Sequence, residues 1–154
     1  MKKTVLALVC LSTLLFSQVE VGKPIKKFDL KDQFDKSHSL TNSTKKIVYV
    51  SSKAAAHKAK EFFATKDKDY LSKKDILFVA DVTAMPTIIK FFVLPIKGYD
   101  YPIVMLDDEK LSKEYKPSDD KKAEKIMVIT LKNGVVEEIN YFDNVKDLQL
   151  SIEG

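Results

Sequence analysis

VYVSSKAAAHKAKEFF, residues 48–63, decides how the rest of the chain is read. Ile47 to Val50 is an unbroken apolar, mostly β-branched run of the kind found in a strand covered on both faces. Two serines stop it. From Ala54 to Ala64 the alanines, lysines and Glu61 are good helix formers, with Phe62 and Phe63 closing an apolar face. A strand that turns straight into a helix leaves the helix's first N–H groups unpaired, and these stabilise an anion or a thiolate. Ser51, Ser52, Lys53, His57 and Lys58 cluster at these first turns and form the candidate ligand-binding set, suited to a carboxylate, phosphate or sulfate. A plainer reading is preferred: Ser51 or Ser52 caps the helix, contributing about 1 kcal/mol, while His57 and the lysines face water.

Working outward, Ile76 to Asp81 (ILFVAD) is a second buried strand, reached through a weaker helix around Tyr70 and Leu71 in the span Lys66 to Lys74. Thr83 can cap a further helix, since Pro86 falls in its first turn and Pro95 ends it. Its segment AMPTIIKFFVL, residues 84–94, is apolar nearly all round, which predicts burial against the sheet, with a membrane-touching or partner-binding helix as the alternative. Tyr101 to Leu106 reads as a fourth strand, followed by the charged stretch 107–125, a solvated loop with a helical turn. Ile126 to Leu131 and Val135 to Phe142 are joined by Asn133-Gly134, a strong hairpin signal because this pair supplies positive φ angles. Asn144 to Ile152 completes the chain as a helix with Val145, Leu148 and Ile152 on one face. Upstream, Phe28 to Leu30 and Ser37 to Leu40 flank a polar turn at Asp35 and Lys36, a second hairpin. The predicted fold class is α/β: a mixed β-sheet flanked by helices, with an N-terminal β-hairpin extension.

MKKTVLALVCLSTLLFS, residues 1–17, has a two-lysine start, an apolar run and a small residue at its end. It is shorter than the roughly 20 apolar residues of a membrane span and reads as a signal peptide, the domain then covering residues 18–154. An uncleaved anchor or a buried helix is the competing reading, and Val9 before Cys10 fits lipoprotein processing poorly. Periplasmic export is therefore expected, with no stable membrane insertion after cleavage. Cleavage removes Cys10, the chain's single cysteine, so the mature protein has neither disulfide nor thiolate. The 26 basic residues are all lysine, and losing Lys2 and Lys3 leaves 24 against 22 acids. This near balance, without arginine, argues against a nucleic-acid partner.

VGKPIKKFDLKDQ (residues 21–33), KSHSL (36–40), KKIVYV (45–50) and MVITLKNGVV (127–136) together resemble the peroxiredoxin and TlpA-like branch of the thioredoxin superfamily. A Tyr-x-Tyr-Pro segment at residues 99–102 before the charged loop, with a Pro-bearing helix upstream, is similar to the YtfJ-like group of small exported proteins. The resemblance implies a thioredoxin-like fold from Val21 onward. It also locates departures. Aligning Val48 to Val50 with the family's strand before its Cys-x-x-Cys puts Ala55 and Lys58 at the two cysteine positions, and neither can attack a disulfide or peroxide. Lys26 stands where the opening has proline, Asp35 where it has glycine, and no proline stands near Glu124 and Lys125, where the resemblance implies a cis-proline.

Other chemistries find little support. Neither serine lies in Gly-x-Ser-x-Gly, so a Ser–His57 hydrolase pair lacks its elbow and oxyanion hole. His38 and His57 are the only histidines, and Asp107, Asp108, Glu109, Asp119 and Asp120 form no EF-hand loop, so no metal site is expected. Four scattered glycines make neither a phosphate loop nor a dinucleotide fingerprint. No cofactor is expected. The resulting expectation is a redox-inactive thioredoxin-like module that binds a periplasmic protein partner, with a non-thiol oxidoreductase holding a flavin as the alternative.

Overall fold

The computed structural model describes residues 18–86 and 98–154. The signal segment 1–17 with Cys10, and residues 87–94 of the expected apolar helix, lie outside the described residues.

A two-stranded antiparallel ribbon comes first, β1 (Asp29–Lys31) against β2 (Ser37–Ser39). In its turn Asp35 holds φ at 63°, the left-handed conformation that glycine favours and that Asp tolerates better than most residues. The replacement of glycine therefore leaves the turn intact. β3 (Lys46–Val50), α1 (Lys53–Ala64) and β4 (Ile76–Asp81) make a parallel βαβ unit, with the one-turn helix α2 (Tyr70–Lys73) on the way back. β5 (Val104–Leu106) adds parallel to β4. Next come α3 (Glu109–Tyr115), α4 (Asp120–Ala123), β6 (Ile126–Lys132), β7 (Val135–Phe142) and α5 (Val145–Glu153). The strand order is β5-β4-β3-β6-β7, with β6 antiparallel to both its neighbours.

Alternate residues of a strand face opposite sides, so β3 serves two cores. Val48 and Val50 pack under α1 and α5 with Ala55, Ala59, Phe63 and Leu148. Ile47 and Tyr49 point the other way, toward Leu111 and Tyr115 of α3 and toward Ile25 and Phe28. Alanines at 55 and 59 let α1 lie close to the sheet, while Phe63 fills the space beside Phe78 (ring centroids 5.0 Å) and Tyr101 (5.8 Å). Each such large apolar side chain contributes about 1.5–3 kcal/mol through burial.

The ribbon docks on the sheet through a side chain that imitates a strand. Buried Gln33 donates from Nε2 to the Tyr101 carbonyl (2.8 Å) and accepts the Ile103 N–H at Oε1 (2.7 Å). Because Gln33 takes these backbone groups, only Val104 to Leu106 of the expected strand Tyr101 to Leu106 pairs regularly. Three other expectations need correction. The helix expected over Lys66 to Lys74 shrinks to Tyr70–Lys73. The chain does not enter a helix at Thr83, because the Thr83 N–H and hydroxyl both bond Asp81 Oδ1 and form a turn that continues through Met85. The charged stretch 107–125 carries two helices, since Asp108 and Asp119 cap them by accepting the N–H groups of Leu111 (2.9 Å) and Lys121 (2.8 Å). Among the described residues no helix is long and apolar enough to cross a membrane.

The candidate site at the head of α1

Ser52 is the cap of α1. Its backbone is extended (φ −124°, ψ 156°), and its Oγ accepts the Ala55 N–H at 3.1 Å, satisfying one of the helix's orphan donors. No acid lies in the first turn to offset the positive end of the dipole. Ser51, still half-buried, sends its hydroxyl to the Ala123 carbonyl (3.2 Å) and so ties the strand end to α4 rather than to the helix head. Lys53 and His57 are exposed, and Lys58 is half-buried. Among the described residues, the side chains of His57 and Lys58 form no hydrogen bond or ion pair, and neither serine bonds His57. The five candidate residues therefore share one turn of chain without converging on one point.

The two positions aligned with the family cysteines separate. Ala55 lies in the third residue of α1, fully buried against the sheet, whereas Lys58 is one turn further along. The side chain that meets the open end of the helix is Ser52, an oxygen where thiol chemistry needs sulphur. Glu124 and Lys125 lead into β6, with Lys125 paired to Asp143 at 3.0 Å. The third lysine of this helix, Lys60, sits 5.6 Å above the Tyr99 ring. Burial, with Lys53 nearby, holds its ammonium below the usual lysine range.

Sequence reasoning missed the polar cluster behind the helix head. At the carboxyl end of β4, Asp81 Oδ2 accepts the Tyr49 hydroxyl (2.6 Å) and the Ser112 hydroxyl (2.5 Å), while Oδ1 accepts the Thr83 hydroxyl (2.6 Å) and N–H (3.0 Å). All four acceptor positions of the carboxylate are thus occupied. Burial and the Asp81 carboxylate push the Tyr49 phenol well above its ordinary value, so it stays protonated and donates. The arrangement anchors α3 to β3 and β4 and offers no spare base. A signal for it stood in the sequence: an aspartate ending an apolar strand, two residues before a threonine, is an Asx-turn pattern. Nothing in the sequence marked Ser112 as its third partner. Asp108 and Asp119 of the charged stretch are helix caps. Among the described residues no three His, Cys, Asp or Glu side chains converge.

Comparison with known proteins places this geometry. No family model and no curated protein matches the chain. Solved structures do match. A peroxiredoxin-like protein from Aquifex aeolicus superposes with a TM-score of 0.57 at 9% identity, covering 88% of this chain and 87% of that one. A protein assigned as a thioredoxin in Neisseria meningitidis gives 0.57 at 13% identity over 87% and 89%. Reduced Prx3 from Vibrio vulnificus gives 0.54 at 13% identity over 89% and 100%. The fold is thioredoxin-like: a mixed five-stranded sheet flanked by helices, with an added N-terminal ribbon.

Proposed function

We propose that this chain is an exported thioredoxin-like domain, similar in layout to the YtfJ-like group, that has given up thiol chemistry and acts as a binding module for a periplasmic protein. The observation that carries the reading is Ser52 at the head of α1, its oxygen committed to the Ala55 N–H, in a chain whose single cysteine is Cys10 of the expected signal peptide. A serine hydroxyl cannot form the mixed disulfide or sulfenic acid on which thiol exchange and peroxide reduction depend. Unpaired Lys53 and His57 beside the helix head support a role for this end of the molecule in contact with an acidic partner surface.

The decisive measurement is turnover of the mature protein, residues 18–154, in insulin reduction and in peroxide consumption. Rates indistinguishable from buffer are expected, and sustained turnover in either assay defeats the proposal. N-terminal sequencing of the protein recovered from a periplasmic extract tests export, the expected first residue being Gln18. A stoichiometric flavin band in the absorbance spectrum of that same material would move the reading to a non-thiol oxidoreductase.

A further inference from the structure

The outer strand of the sheet is covered over only part of its length. β7 pairs with β6 on one side, and its other side meets the chain before β1. There the Val136 N–H donates to the Lys23 carbonyl (3.0 Å), the Gly22 N–H to the Val136 carbonyl (2.7 Å) and the Ile25 N–H to the Gly134 carbonyl (2.9 Å). This cover ends where β7 bulges between Val136 and Glu138. Beyond the bulge the register fixes where the backbone groups point. Leu131 sends its N–H to the Lys45 carbonyl, so Leu131, Ile129 and Met127 turn their backbone groups toward β3. Their partners across β7, Ile139 opposite Ile129 and Tyr141 opposite Met127, therefore direct N–H and C=O away from the sheet. Among the described residues these groups have no hydrogen-bond partner.

The two faces beside this free edge differ. On the α5 side, Glu138, Asn140 and Phe142 of β7 with Asp147, Leu150 and Ser151 of α5 line an open groove of about 400 Å³. Glu138 is exposed and forms no ion pair among the described residues, as does Glu137 at the bulge, and Leu150 is 60% exposed. Lys46 also borders the groove, but its ammonium donates to Thr130 Oγ1 (3.2 Å). On the other face Ile139 and Tyr141 are half-buried, and the Lys122 ammonium lies 5.1 Å above the Tyr141 ring.

We propose that this edge accepts a further strand from a partner polypeptide, an extended segment with lysine or arginine on the side chains facing α5 and apolar side chains at the alternate positions. The partner's backbone completes the bonds of Ile139 and Tyr141, as the chain's own residues 22–25 do for 134–136 on the same edge. Its residues opposite Glu138 and Asn140 lie beside Glu138, Asp147 and Leu150, where a long basic side chain rests its stem on leucine and its charge on carboxylates. Its residues opposite Ile139 and Tyr141 fall on the face that Lys122 makes unsuitable for a second cation. A second copy of this chain fits less well. Pairing Ile139 with Tyr141 of the copy sets Glu137 against Asp143 at both ends, and like charges opposite one another destabilise a strand pair. The proposal goes beyond the function given above, since it uses neither the missing thiol nor the head of α1.

The experiment titrates the ¹⁵N-labelled protein with the peptide acetyl-Val-Lys-Val-Lys-Val-amide, with acetyl-Val-Glu-Val-Glu-Val-amide as the charge control, and follows amide shifts and hydrogen exchange. In the free protein the Ile139 and Tyr141 amides should exchange rapidly, while that of Asn140, directed at β6, is protected. The lysine peptide is expected to give saturable shifts centred on β7 and, near nine-tenths saturation, to slow exchange at Ile139 and Tyr141 about tenfold. The glutamate peptide is expected to do neither. Glu137 and Glu138 are exposed, so the double variant Glu137→Gln with Glu138→Gln should keep the wild-type thermal midpoint while lysine-peptide binding weakens roughly threefold to tenfold. The proposal is overturned if the lysine peptide does not saturate or leaves those two amides exchanging as before, or if the glutamate peptide binds as tightly. It is equally overturned if the folded double variant binds unchanged, or if the free protein sediments as a dimer with both amides already protected.

Discussion

Ser52 shows how one atom separates scaffold from chemistry. Its Oγ occupies the open end of a twelve-residue helix with no acid in the first turn and Lys53 beside it. These features lower a thiol's pKa from its free value of about 8.5. Ser52→Cys, made with Cys10→Ser, should therefore give a thiol whose alkylation rate titrates below about 8.5. A midpoint at or above that value would show that the helix field does not reach the side chain. At Tyr49 the expected result is structural: Tyr49→Phe removes one donor from Asp81 and should cost about 1 kcal/mol in urea unfolding.

At the scale of elements, Gln33 carries more than its sequence position suggests. Its two bonds to the backbone at 101 and 103 close the ribbon onto the edge of the sheet, and both are buried. Gln33→Ala leaves a buried carbonyl and a buried N–H unpaired and should destabilise by about 1–3 kcal/mol per unsatisfied group, measurable by urea unfolding. An unchanged midpoint would mean the ribbon is held mainly by Phe28 and Leu40. The elements most legible in the sequence were those with strong local chemistry. Both hairpins, the strands at 47–50 and 76–81 and the terminal helix stand where apolar runs and turn residues put them. α3 was missed because its apolar signal is only Leu111 and Tyr115 in a charged stretch, and its stability comes from an Asp108 cap and from burial on residues distant in sequence. The site was legible only as a junction. The head of α1 could be located, but the Asp81 cluster joins residues from three separate segments, and no local pattern reports such convergence.

For the whole molecule, acid is the informative stress. Burial pushes the Asp32 carboxyl up, but the His38 bond and the N–H groups of Phe34 and Lys36 outweigh it, holding the group below its ordinary value of 3.8. Glu153 is drawn from 4.5 down to about 2 by Lys66, then by the Tyr70 hydroxyl and by Gln149. Both folded-state values are depressed. Their stabilisation is thus complete above the unfolded values and is lost as pH falls from about 4.5 toward 2. Thermal midpoints measured from pH 6 to 2 should fall in that window, and Asp32→Asn should flatten part of the drop. Added salt should weaken the contribution of solvent-exposed Glu153 more than that of buried Asp32.

The middle strand also sets a timetable. β3 lies between β4 and β6, yet its pairing of Lys46 with Thr130 spans most of the chain. A nascent polypeptide emerging from the ribosome cannot complete that pairing until nearly everything has been synthesised, and such distant pairings form late and slowly. Truncation before residue 126 should leave a protease-sensitive, non-native chain. The topology itself thus supplies a folding brake, set by the last third of the chain.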